Sequence, residues 1–230
     1  MNLEDFRTIL ESELLWRQEE INFFKNQLNN FIADEDKNRY RKALVLILYS
    51  HLEGFMKVSL LTYVQYLNSL GLKNNQVKSE LKASSINIAF QNYENKEIHM
   101  REIKDKNKKI DSELNKFYRR VQLILEIDPL NESNLNIDDT VINTESNLWY
   151  EVLQKNLYRI GLPIDLFNEM KKNINALVHR RNGIAHGDKD SGVKENEFDI
   201  WLKNTNIVLN DTIKILYEYA INKKYLKETI

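Results

Sequence analysis

Six glycines and two prolines serve all 230 residues. A β-sandwich or barrel turns back roughly every 8–12 residues and needs far more of both at its turns. So few breakers confine the chain to long helices with few connections. Leu, Ile, Lys, Glu and Asn dominate, which favours the same outcome. With 42% hydrophobic residues a sizeable core can be buried. The expectation is an all-α bundle of long antiparallel helices, a single domain over 1–230, with 72–145 as a helical or loop insertion that selects substrate.

The formal net charge is −1, so no global field draws the chain to nucleic acid or membrane, and any anion site must be local. The absence of Cys removes disulfides, thiol nucleophiles and cysteine zinc sites, and fits a reducing compartment. "MNLEDFRTIL" lacks the basic start and apolar run of a signal peptide. The longest apolar run, Ala43 to Tyr49, has seven residues, too few to span a bilayer. The expectation is a soluble, cytoplasmic chain away from membranes.

Apolar spacings of three, four and seven mark a helix over 3–32, interrupted at Arg17, whose stem packs while its head reaches out. "ADEDKN" reads as a polar break. Residues 39–70 form a second helix, apolar nearly all round and so central, which Gly71 ends. "SSINIAFQNY" fits a strand, a loop or a helix start, and "ENKEIHMREIKDKNKK" a solvated face or loop. Helix resumes over 111–127, and 128–144 reads as surface loop. Ser146 is placed to cap a helix over 147–160, ended by Gly161 and Pro163. Further helices are expected over 165–185 and 195–224. His51 and His99 read as a helix-surface and a loop histidine.

"HRRNGIAHGD", from His179 to Asp188, carries the chemistry. Arg181 lies three after Val178 and four after Leu177, so an always-charged guanidinium sits on the helix's apolar stripe and must be compensated. Arg181 and His186 are five apart and point about 140° away from each other on an ideal helix. Either the helix unwinds near Gly183, or a second copy completes the site across a two-fold axis. A purely structural reading stands beside these. In it Arg181 pairs with Glu53 in the core, and His186 with Gly187 ends the helix. His179 and His186 are seven apart, without metal-site spacing, so no metal is expected.

"RRNGIAHGD" resembles the signature of HEPN domains, an Arg, usually followed by a polar residue, and a His after four to six intervening positions, four in this chain. "LYSHLEGFMK", with Glu53 and Lys57 as supporting residues, then "SNLWYEVLQKNLYRIGLP" and "INALVHRRNGIAHGD", are similar in order and wording to the MAE and RiboL-PSP groups of that superfamily. The resemblance implies an all-α bundle, dimeric through facing Arg–His helices. It also implies a metal-independent endoribonuclease without cofactor, often a toxin or anti-phage effector. Arg181 and His186 take the catalytic positions and Asn182 the polar one. In one HEPN toxin class a Tyr two residues after the His accepts AMP from an antitoxin; Asp188 stands there instead.

The residue types suit the reaction. The RNA 2′-OH attacks its own phosphorus, a histidine serves as base or acid near neutrality, and an Arg fork holds the phosphate oxygens. Glu53 would steady Arg181, and Arg180, Lys171, Lys172 and Lys189 would line a local basic groove for RNA. Expected partners are RNA, a second copy, and an antitoxin or regulatory protein. The alternative is a non-catalytic HEPN module that binds RNA, nucleotide or protein, or a purely structural helical domain.

Overall fold

The structure, a computed structural model, describes residues 1–98, 100, 112–187 and 192–227. Among them are eight α-helices and no strand: α1 Leu3–Asn26, α2 Asp34–Ser69, α3 Ser79–Ser85, α4 Asn87–Glu94, α5 Ser112–Asn131, α6 Tyr150–Arg159, α7 Lys171–Ala185 and α8 Glu195–Ile221.

The all-α expectation holds, and the boundaries show which local forces decide. α1 opens with a capping box in which Asn2 and Asp5 satisfy each other's backbone amides, closing orphan donors. It stops at Asn26, short of 32, because the following Gln- and Asn-rich stretch tightens into a 3₁₀ turn, Gln27–Asn30, where side-chain amides compete with the helix. α2 begins at Asp34 rather than 39. Asp34, Glu35 and Asp36, part of the expected polar break, occupy its first turn, where the helix dipole favours acid. The stretch "SSINIAFQNY" closes α3 and builds α4. His99 and most of the charged run lie outside the described residues.

α2 spans 36 residues and forms the axis of the bundle. α1, α8 and α7 pack around it, and α8 also touches α1 and α7. Phe55, Leu60, Tyr63 and Leu67 of α2 are at most 1% exposed. This one described helix is long and apolar enough to cross a membrane, with a window of mean hydropathy 1.5, well beyond the seven-residue run. Its neighbours give it instead the place of a core helix. The segment after α5 returns to the end of α2, where Asn68 donates to the Ile137 carbonyl and accepts its amide, both at 2.9 Å. α3 packs on α6 and α4 on α5.

Between α1 and α2 two residues depart from expectation. Arg17 does not send its head to solvent. It is buried, with Nε donating to Glu13 at 2.9 Å, the guanidinium over the Trp16 ring, and Nη1 3.5 Å from the His51 carbonyl. A buried charge demands such a partner, and Glu13, one turn earlier, supplies it. Gly54 makes the room, since a Cβ there would lie 2.8 Å from Arg17 Nη1. His51 is buried rather than on the surface, its Nε2 3.1 Å from Glu20.

Two outcomes follow from that cluster. Gly54→Ala gains about 1 kcal/mol of helix propensity but overpacks Arg17, and should lower stability by a net ~1 kcal/mol in urea titration. Burial first, with the Arg17 charge, holds the His51 pKa below 6.5 against the pull of Glu20 and Glu13. The folded state therefore resists protonating this ring. The stability it lends is complete above 6.5 and declines as pH falls through the lower folded value, which an NMR titration of the ring should find below 6.5.

Candidate active site

Two helices and one loop assemble around Arg181. On α7, Ile174, Leu177 and Val178 are buried, and Arg181 continues their stripe one turn further, half-buried. Its guanidinium lies over the ring of Tyr49 of α2, 4.9 Å from Cζ to centroid. Such a contact is worth about 0.5–2 kcal/mol, more as water is excluded. Nη1 donates to Asn182 Oδ1 at 2.8 Å and to Asn147 Oδ1 at 3.2 Å.

Asn147 comes from the segment before α6. Ser146 does not cap that helix. It has φ 72°, and α6 starts only at Tyr150. The loop is shaped instead by an amide exchange, Asn156 accepting from the Asn143 N–H at 3.0 Å and donating to its carbonyl at 2.9 Å. The Asn147 N–H donates to the Thr144 carbonyl at 2.9 Å. The next amide, Leu148 N–H, donates to the Tyr49 hydroxyl at 2.8 Å. Tyr49 thus holds Arg181 with its ring face and the Asn147 loop with its hydroxyl.

The expected Glu53–Arg181 ion pair does not form. Among the described residues no carboxylate lies within 4.0 Å of Arg181; Glu53 stands beside the Tyr49 hydroxyl instead. Tyr49 and Glu53 are four apart on α2, so one helix face presents both. Lys57, one turn beyond Glu53, is exposed. Burial foremost, with the Glu53 charge, pushes the Tyr49 pKa up to about 12, opposed by the Leu148 amide and Arg181. At neutral pH this phenol is a fixed dipole, not a base.

His186 follows the last turn of α7 and is exposed. Its amide donates to the Asn182 carbonyl at 3.0 Å and Gly187, at φ 84°, turns the chain away, so these two residues do end the helix. The helix runs unbroken through Gly183. Unwinding there does not occur, and the angular separation of about 140° between Arg181 and His186 persists. His179 is exposed.

The expected basic groove is uneven. Lys171 pairs with Glu151 at 2.9 Å and lies over the Tyr150 ring. Arg180 donates to the Gly192 carbonyl at 2.8 Å. Lys172 is exposed. Lys189 and Asp188 lie outside the described residues. Tyr49 and Asn147 are the site residues that sequence reasoning missed. The signal for Tyr49 was its place one turn before Glu53, and Asn147 sat unassigned in "SNLWYEV".

The bundle with α7 laid on its central helix is of the HEPN class. Residues 6–225 match the family described as MAE_28990-like HEPN, and the chain belongs to it. No curated protein and no solved structure matches.

Tyr49→Phe keeps the ring but strands the buried Leu148 N–H, and should cost about 1–3 kcal/mol in urea titration. Alkali separates the two proteins further. A raised folded pKa lends an acid's stability fully below its unfolded value near 10, and that stability is lost as pH rises through about 12. The wild type should lose this contribution across the window and Tyr49→Phe should not.

Proposed function

We propose that the chain is a metal-independent endoribonuclease whose site is completed by a second copy. The observation that carries this reading is the company Arg181 keeps. Among the described residues the two buried arginines, Arg17 and Arg41, each have a carboxylate, Glu13 and Glu195. Arg181, on an apolar stripe, has amide oxygens and a ring face instead. Its charge is aimed but not neutralised, and a phosphate is the natural complement of such a fork. HEPN domains are often ribonucleases, and Arg with His on one helix fits that chemistry.

In this mechanism the RNA 2′-oxygen attacks the adjacent phosphorus while one His186 takes its proton. The P–O5′ bond breaks as the His186 of the second copy protonates the leaving oxygen. Arg181 stabilises the charge gathered on the non-bridging oxygens. Asn182 and Asn147 hold the guanidinium through their side-chain oxygens. Two copies resolve the angular mismatch, since neither must aim both groups at one phosphate. Lys172, with Arg180, Lys171 and Lys189, would meet flanking phosphates. A toxin or defence role under antitoxin control suits such an enzyme.

Purified protein should cleave RNA in EDTA, leaving 2′,3′-cyclic phosphate and 5′-hydroxyl ends. Arg181→Ala and His186→Ala should each lower the rate at least ~100-fold. Undiminished cleavage by His186→Ala overturns the mechanism, and RNA binding without cleavage by the wild type favours a non-catalytic HEPN module.

A further inference from the structure

α5 packs on α4 with a mixed side, Tyr118 and Leu123 standing beside Arg119, Gln122 and Glu126. Arg119 Nε donates to the Tyr93 carbonyl at 3.0 Å, and Glu126 accepts from Asn92 at 3.4 Å. On the same side Asn115 is buried and accepts the Met100 amide at 3.1 Å. The opposite face carries Phe117, Val121, Ile124 and Leu125 at helical spacing, exposed by 60, 36, 61 and 60%. An amphipathic helix ordinarily buries that stripe, and clustered exposed apolar side chains mark a contact surface.

We infer that this stripe pairs, antiparallel and across a two-fold axis, with the same stripe of a second copy. Charge selects the occupant and its direction. On this side the first half of α5 carries Glu113, Lys116 and Arg120, a net positive charge, whereas Asp128 continues the stripe in the second. Antiparallel pairing brings the Asp128 turn of each copy to the other's Lys116 and Arg120. Parallel pairing would stack like on like. With the axis between Val121 and Ile124, each Val121 meets the partner's Ile124. From Phe117 to Asp128 the stripe is about 16 Å long, so the contact is small and association falls in the micromolar range. It involves no part of α7 and stands whether or not the chain is a nuclease.

The sequence has no cysteine, which makes a site-specific test clean. Val121→Cys protein mixed with Ile124→Cys protein and oxidised should yield the mixed disulfide dimer, which Ser12→Cys, exposed on α1, should not give. In sedimentation from about 1 to about 100 µM, Ile124→Asp should weaken self-association at least ~10-fold while circular dichroism stays unchanged, since the side chain is exposed. Arg120→Glu should weaken it too, and Arg120→Glu with Asp128→Arg should restore it. No mixed disulfide above the Ser12→Cys control, or association untouched by Ile124→Asp, overturns the inference and assigns the face to a different occupant.

Discussion

The guanidinium of Arg181 over the ring of Tyr49 joins the two helices that matter, and the arrangement around it follows from keeping a cation there without a carboxylate. A half-buried charge must be solvated by something. Here the substitutes are two side-chain amide oxygens and a π face. Neutral dipoles stabilise the cation less than a carboxylate would, so the guanidinium keeps its net charge.

Tyr49 makes this arrangement rigid. Its ring is packed in the core and its hydroxyl accepts the Leu148 amide, so the loop carrying Asn147 is fixed to the same side chain that lies beneath Arg181. Burial, with Glu53 beside that hydroxyl, raises its pKa and keeps the phenol neutral.

The fold was legible because helix formation here is local. Scarce glycine and proline, apolar spacing and the unbroken stripe of α2 each point the same way. Boundaries failed where short-range electrostatics or side-chain amides decided them, as at Asp34–Asp36 and Gln27–Asn30. The anomaly of Arg181 was legible from its place on the stripe, but not its partners. Glu53 was an obvious counter-ion by chemistry. Only the packing of α2 under α7 reveals that a tyrosine one turn earlier takes the place against Arg181. Asn147, more than thirty residues before Arg181, is delivered by a loop whose shape depends on Asn143 and Asn156, a non-local relation no periodicity encodes.

Arg181 and the outer face of α5 pose the same physical problem in different terms, one an uncompensated charge and the other an uncovered apolar stripe. They lie on separate elements, so a contact that satisfies one leaves the other open. Two distinct two-fold contacts on one protomer close into a finite dihedral assembly only where their axes intersect; otherwise they propagate without end. The shortness of the α5 stripe bears on this directly. A contact of about 16 Å adds association only at high concentration, so the α5 pairing would open on dilution. The larger assembly would then form or dissolve with local concentration, without altering the geometry that holds Arg181 over Tyr49.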